Sequence, residues 1–144
     1  MCIRDRVRTG QSAEDRKASY NESTREVIQI QLTRLDDVIQ EHQVDIGTHS
    51  LLWVDIQGHE GHFLEGARET LSKGVPMVTE LWPYGINRSG MSSLDFCALI
   101  RELFATYYIQ QRSVWKQYST DQFRQTYSRY DGGTSGTDIV LIPR

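Results

Sequence analysis

The chain has 144 residues and a formal net charge of −3, with 38% hydrophobic and 24% charged residues. This length suffices for one domain with a hydrophobic core, and the composition excludes a disordered chain. The acidic balance argues against nucleic-acid binding by phosphate neutralisation, and no apolar run is long enough for a membrane span. Two cysteines cannot form a general disulfide framework. We therefore expect a soluble, cytoplasmic protein without nucleic-acid or membrane partners, and nothing in the sequence predicts its oligomeric state.

The first residues do not resemble a natural N-terminus. The peptide at residues 1–6, MCIRDR, is what the transposase adapter sequence of DNA libraries encodes in one reading frame. We expect it to be an adapter-derived artefact and exclude it from fold reasoning. Residues 7–24 are polar with few apolar anchors, which predicts a loop or ribbon.

The first regular elements are predicted between residues 27 and 54. Partial apolar alternation over 27–32 predicts a short strand. Thr33 and Asp36 have capping-box spacing, and the apolar face that follows predicts a helix ending near His42. The continuous apolar run Leu51–Val54 predicts a strand buried on both faces, as in a parallel sheet covered by helices.

Helical periodicity from Gly61 to Lys73 predicts one amphipathic helix, and Gly74 stands where a helix C-terminal glycine belongs. A buried-type strand is predicted over Val75–Trp82. The remaining predictions are a helix from Ser92 whose apolar face reaches Tyr107, a strand over 108–115, a helix over 119–130 and a strand over 137–142. This order predicts an α/β fold with a largely parallel sheet.

Polar groups cluster where two predicted strands end. The stretch 55–60 follows the first buried strand, and the stretch 80–84 closes the next. Ligands of open α/β sheets bind at the carboxyl ends of the strands, so these two stretches predict the functional site.

Leu35 and Asp36 open the helix before the first of these strands, and a spaced set of residues follows it: Asp55, Gly58, Glu60, Leu64, Gly66, Ala67 and Glu80. This pattern resembles the D-x-x-G-x-E-x-x-x-L-x-G-A signature of the FkbM-type methyltransferases, and the ending Asp138–Pro143 is similar to the last strand of that family. The resemblance covers about residues 25–144. It implies a Rossmann-like three-layer sandwich, mostly parallel with an antiparallel C-terminal strand, and S-adenosylmethionine as the cofactor.

One part of the family pattern is not found in this sequence. Family members bind the cofactor mainly through a glycine-rich turn after the first strand and an acidic residue after the second. The glycines of the stretch 132–136 precede a strand instead of joining a strand to a helix. We therefore expect residues 25–144 to be the C-terminal part of a methyltransferase domain without its first strands, inactive alone, that supplies the acceptor side of the site.

The resemblance implies methyl transfer to oxygen on a small-molecule or sugar acceptor. The expected catalytic residues are Asp55, Glu60 and Glu80, the expected acceptor-binding residues are Gln57, His59, Trp82 and Tyr84, and the expected cofactor contacts are Asp55 and Ile56. Each residue also has a structural interpretation, such as a turn cap for Asp55, an ion pair for Glu80 or plain packing for Trp82.

Two other functions stay open from the residues alone. The chain could be a non-catalytic α/β interaction module, since the cofactor motif is not seen. It could also be a metal-dependent hydrolase that uses Asp55, His59 and Glu80. No metal site is predicted, because Phe63 occupies the fourth position after His59, where a zinc-protease helix needs a second histidine.

Overall fold

The structure is a computed structural model that describes residues 29–144. The adapter-like peptide and the loop predicted over 7–24 lie outside the described residues. Within 29–32 the chain is exposed and has no regular structure, with Ile30 58% and Leu32 40% exposed. The strand predicted over 27–32 is therefore wrong for these four residues. The helices and strands belong to one compact unit, Thr33–Arg144.

Five strands form one mixed sheet: β1 (Leu52–Val54), β2 (Met77–Leu81), β3 (Phe104–Gln111), β4 (Val114–Ser119) and β5 (Thr137–Pro143). Their order is β1-β2-β5-β3-β4, with β1 parallel to β2 and the other three pairs antiparallel. The prediction of a mostly parallel sheet is therefore wrong. β5 enters between β2 and β3 in the opposite direction, and β3 and β4 form a hairpin.

The sequence pattern does not predict the hairpin of β3 and β4, and the tight turn between these strands explains why. Arg112 and Ser113 have φ values of 49° and 66°, which fit a two-residue hairpin loop. Neither residue is the asparagine or glycine that usually marks such a loop. The single strand predicted over 108–115 therefore runs across the turn, and Phe104 and Tyr107 belong to β3 rather than to a helix face.

Residues 29–144 contain six α-helices: α1 (Leu35–His42), α2 (Glu60–Gly66), α3 (Arg68–Ser72), α4 (Pro83–Arg88), α5 (Ser93–Leu103) and α6 (Phe123–Tyr130). They share one hydrophobic core with the buried strand residues Met77, Leu81, Ile139 and Leu141. On the other face of the sheet Trp53 is 76% exposed. Residues 33–144 thus form two layers, which corrects the three-layer expectation for this part of the chain.

Several helix predictions are confirmed, and two need correction. α1 has the predicted bounds, and α5 follows Ser92, whose hydroxyl oxygen accepts the Asp95 amide at 3.1 Å. α6 begins at Phe123 after a short 3-10 turn within the predicted 119–130 helix. The helix predicted over 61–73 is instead two helices, α2 and α3, which meet at Ala67.

Asp36 accounts for the break at Ala67. The capping box predicted for it does not form, because Arg34 is the N-cap of α1 and makes no side-chain cap. Asp36 instead accepts hydrogen bonds from the amides of Glu69 and Thr70, at 3.1 and 2.9 Å. These amides belong to the first turn of α3. The Asp36 side chain on α1 therefore caps the N-terminus of α3, although the two helices are distant in sequence.

The burial predicted for the run Leu51–Val54 is wrong. Leu51 is 56% exposed and Trp53 76%, whereas Val54 is only 5% exposed. β1 lies at the edge of the described sheet; Val54 packs on its core face, whereas Trp53 projects from the opposite face, which leaves it exposed. A continuous apolar run cannot by itself distinguish a central strand from such an edge.

Candidate functional site

The turn after β1 is built around a buried carboxylate. Gln57 and Gly58 have φ values of 54° and 102°, so the chain reverses sharply there. Glu60, fully buried at the start of α2, accepts the amides of Ile56 at 3.3 Å and Gly58 at 3.2 Å through Oε1. The conformation of this turn therefore depends on Glu60.

The same turn packs against α4 and is hydrogen-bonded to it. A Cβ on Gly58 would collide with the backbone of Gly85, and its φ of 102° is one that side chains rarely adopt, so glycine is required here. Arg88 donates from Nη2 to the Gln57 carbonyl at 3.1 Å, and its guanidinium lies 5.5 Å from the ring centre of Trp82. The segments after β1 and β2 thus form one packed unit at the carboxyl ends of these strands.

A cleft of about 430 Å³ opens beside this unit. The residues that line it come from β1, β2, the turn after β1 and the start of β5: Trp53, Val54, Asp55, Gln57, Val78, Thr79, Glu80 and Asp138. It lies at the carboxyl ends of the two parallel strands, where ligands of α/β proteins usually bind.

Strand register brings three carboxylates together in the cleft. Val54 lies opposite Thr79 in the parallel pair, so Asp55 and Glu80 follow at the same level. Glu80 lies directly opposite Asp138 in the antiparallel pair. The Gln57 side-chain amide donates to Asp55 Oδ1 at 2.6 Å and orients that carboxylate.

The environment of Glu80 disfavours its charged form. Burial raises the pKa of Glu80 above its ordinary value, and the negative charges of Asp55, Glu60 and Asp138 raise it further. A Cβ on Gly136 would collide with the Glu80 carboxylate, so this glycine leaves the space that the carboxylate fills. The structure therefore places Glu80 in the cleft and among other acids, rather than in an ion pair with arginine.

Some of the predicted site residues line the cleft and the others do not. Asp55, Gln57 and Glu80 line the cleft, whereas Glu60 lies behind its wall. The other four predicted residues, Ile56, His59, Trp82 and Tyr84, are not among the lining residues.

These four residues occupy the surrounding structure. Trp82 is 7% exposed and donates from its indole to the Thr134 carbonyl at 2.9 Å. The ring of Tyr84 lies 5.6 Å from that of Trp82. His59 is the N-cap residue of α2, and the Ile56 side chain is 39% exposed.

Five lining residues were not predicted as site residues: Trp53, Val54, Val78, Thr79 and Asp138. Trp53 belongs to a run predicted to be buried on both faces, and its exposure depends on which face of the sheet the helices cover, which the local sequence does not indicate. Asp138 opens the predicted last strand, but no local pattern indicates that this strand pairs with β2. A rule that inspects both ends of every strand beside the site would have found Asp138.

Within residues 29–144 no group of three or more His, Cys, Asp or Glu side chains is placed to hold a metal ion. No helix in the same range is long and apolar enough to cross a membrane.

Residues 33–144 therefore form an α/β domain with a mixed sheet and a carboxylate-lined cleft at the ends of its two parallel strands. The chain belongs to the FkbM methyltransferase family, because the model of the Methyltransferase FkbM domain matches residues 2–113. The fold is compatible with a methyltransferase, although its sheet is mostly antiparallel. No curated protein matches the chain.

Proposed function

We propose that this protein is an S-adenosylmethionine-dependent methyltransferase that methylates oxygen on a small-molecule or sugar acceptor. The observation that carries the proposal is the cleft of Asp55, Gln57 and Glu80 at the strand ends of an FkbM-family domain. Residues 29–144 would supply the acceptor side of the site. The cofactor's glycine-rich turn would come from chain outside the described residues.

The chemistry of the cleft fits the reactive end of the proposed cofactor. S-adenosylmethionine supplies a methyl group on a positively charged sulfonium, and Asp55 offers a negative charge at the end of β1. Ile56, which is 39% exposed beside it, suits an apolar contact with the nucleoside. Gln57 would keep the Asp55 carboxylate oriented through its 2.6 Å hydrogen bond.

In this mechanism the acceptor hydroxyl binds against Asp55, with Glu80 holding the acceptor from the neighbouring strand. When bound, S-adenosylmethionine would supply the methyl group for the acceptor oxygen, and Asp55 would take the hydroxyl proton. Orientation of the two reactants and a placed base each lower the barrier, the base by about 10²–10⁴-fold in rate. Glu60 acts as a positioning residue, because it supports the turn that carries Asp55 and Gln57.

The test is methyl transfer by the product of the complete open reading frame, followed by mass spectrometry of candidate acceptors. We expect Asp55→Ala to fold, to bind the cofactor more weakly and to lose about 10²-fold or more in turnover at saturating cofactor. Glu41→Gln is the matched control, since it removes an exposed charge on α1 outside the cleft. Full turnover by Asp55→Ala would contradict the role of Asp55.

A non-catalytic interaction module is the second candidate function. The exposed apolar side chains at Leu51 and Trp53 favour it, because an apolar edge strand can pair with a partner. Failure of the complete gene product to bind S-adenosylmethionine would favour this candidate over the enzyme.

A further inference from the structure

One peptide group in the turn after β1, the group that joins Gln57 to Gly58, is hydrogen-bonded at both of its ends. Its N–H, which belongs to Gly58, donates to Glu60 Oε1 at 3.2 Å. Its carbonyl oxygen, which belongs to Gln57, accepts from Arg88 Nη2 at 3.1 Å. Glu60 begins α2 and Arg88 ends α4, so two separate helices hold this single peptide group.

The charges of the two partners match the dipole of this peptide group. The N–H is the positive end of the dipole and meets the Glu60 carboxylate, and the carbonyl is the negative end and meets the Arg88 guanidinium. Hydrogen bonds with a charged partner are stronger than those between neutral groups. If the peptide group rotated by half a turn, its carbonyl oxygen would face the carboxylate and both hydrogen bonds would be lost. The two side chains therefore favour one orientation of this peptide group.

The backbone of the turn requires this support. Gln57 has a φ of 54°, in the left-handed region that residues with a Cβ rarely adopt. Backbone of this kind persists where the surrounding structure fixes it, and such positions are frequent at functional sites. The hydrogen bond from Arg88 acts on the carbonyl of this same residue.

Gln57 also connects the turn to the candidate catalytic carboxylate. Its side-chain amide donates to Asp55 Oδ1 at 2.6 Å, and both residues line the cleft. A change in the backbone conformation of Gln57 would therefore move the group that orients Asp55. Arg88 is not among the lining residues, so its influence on Asp55 passes through Gln57.

The indole of Trp82 keeps the Arg88 guanidinium near its acceptor. The guanidinium carbon lies 5.5 Å from the ring centre, within the range of a cation–π interaction. The ring itself has a fixed position, because its N–H donates to the Thr134 carbonyl at 2.9 Å and a Cβ on Gly85 would collide with it. Arginine suits this place, since its guanidinium is always charged and can stack on an aromatic ring while it donates to a carbonyl.

We propose that Arg88 is a positioning residue, which fixes the orientation of the Asp55 carboxylate through Gln57. It shares this role with Glu60, which holds the opposite end of the same peptide group. The inference rests on the proposed function, because Asp55 is the base of that reaction.

The first test measures hydrogen exchange of single backbone amides in the complete gene product by NMR. Arg88→Met removes the charge and the donor but keeps an unbranched side chain. We expect the Gly58 amide to exchange about tenfold faster or more in this variant, while the Ile100 amide in α5 keeps its rate. Arg129→Met removes an exposed arginine of α6 and should leave both rates unchanged. An unchanged Gly58 rate in Arg88→Met, or an equal acceleration at Ile100, would overturn the inference.

The conservative variant Arg88→Lys separates hydrogen bonding by residue 88 from its packing. Lysine and methionine have side chains of similar shape, but lysine keeps the positive charge and a donor. Exchange of the Gly58 amide should therefore be at least about threefold slower in Arg88→Lys than in Arg88→Met. Equal exchange in the two variants would overturn the inference.

The second test asks whether Arg88 acts on the reaction through Asp55. Turnover at saturating S-adenosylmethionine, with the acceptor found by mass spectrometry, is compared in wild type, Arg88→Met, Asp55→Ala and the double variant. We expect Arg88→Met to reduce turnover about tenfold when Asp55 is present, but less than about twofold when residue 55 is already alanine. An equal reduction in both backgrounds would show that Arg88 acts independently of Asp55 and would overturn the inference.

The two tests separate this inference from the proposed function. Faster Gly58 exchange in Arg88→Met, in a protein that transfers no methyl group, would overturn the proposed function, while the support of the turn by Arg88 would stand. Unchanged Gly58 exchange in an active methyltransferase would overturn the inference alone.

Discussion

Asp36 and Glu80 are two acidic side chains with opposite environments. Asp36 is 6% exposed, and its carboxylate accepts the Thr70 hydroxyl at 2.7 Å as well as the amides of Glu69 and Thr70. Glu80 adjoins three carboxylates, Asp55, Glu60 and Asp138.

The two pKa values move in opposite directions. Burial alone would raise the pKa of Asp36, but the hydrogen bonds from Thr70 and Glu69 and the charge of Arg34 outweigh it and lower the pKa. For Glu80, burial raises the pKa and the neighbouring charges act in the same direction. Unfavourable arrangements of this kind are commoner at functional sites than elsewhere, which supports the proposal that Glu80 is a functional acid and Asp36 a structural one.

The largest expected effect comes from removing the structural acid. Asp36→Ala leaves the Thr70 hydroxyl and two amides of α3 without their acceptor and should lower the free energy of unfolding by about 2–3 kcal/mol. Chemical denaturation measures the change. Asp37→Ala, an exposed neighbour on α1, should change stability by less than about 0.5 kcal/mol.

Acid provides a second measurement on Asp36. Because folding lowers its pKa, the stability that Asp36 provides is present above its ordinary value of 3.8 and is lost as the pH falls through the lower, folded-state pKa. The difference between wild type and Asp36→Ala should therefore shrink in strong acid. If the free energies of unfolding of wild type and Asp36→Ala differed by the same amount at all pH values, the charge of Asp36 would contribute nothing to stability.

A smaller effect is expected from Gly136→Ala, which tests how closely the Glu80 carboxylate packs against residue 136. The new methyl group would collide with the Glu80 carboxylate and push it from its place, whereas a Cβ on Gly133 meets its nearest atom at 3.9 Å. We expect Gly136→Ala to change stability by less than about 1 kcal/mol, because the displaced carboxylate is the end of a flexible side chain, and to reduce methyl transfer about tenfold. Gly133→Ala should retain both properties, and equal behaviour of the two variants would contradict the close fit at Glu80.

Local sequence patterns predicted much of the fold. α1 and β5 were predicted nearly to the residue, and Ser92 correctly marked the start of α5, although the predicted face of that helix continued to Tyr107 in β3. The sheet pairing was not predicted correctly, since the hairpin turn at Arg112 and Ser113 lacks the usual turn residues. The break at Ala67 depends on Asp36, which is distant in sequence and gives no local signal.

The candidate site was predicted in part for similar reasons. Asp55, Gln57 and Glu80 follow from the rule that ligands bind where parallel strands end. Asp138 reaches the cleft only because β5 runs antiparallel beside β2, and that pairing is tertiary information. Trp82 was predicted to bind the acceptor, but its side chain is packed in the structure and is only 7% exposed.

The most direct test measures stability and methyl transfer in the same variant, Glu80→Gln. Folding raises the pKa of Glu80, so protonation of Glu80 stabilises the folded state in acid. This stabilisation is lost as the pH rises above the ordinary pKa of 4.5 and through the higher pKa of the folded state. The glutamine variant should therefore be more stable than wild type at neutral pH, by about 0.5–1 kcal/mol, with the gain vanishing in acid. Methyl transfer by the same variant should fall about tenfold or more. A variant that loses stability at neutral pH, or that keeps full turnover, would contradict the account of Glu80 as a functional acid.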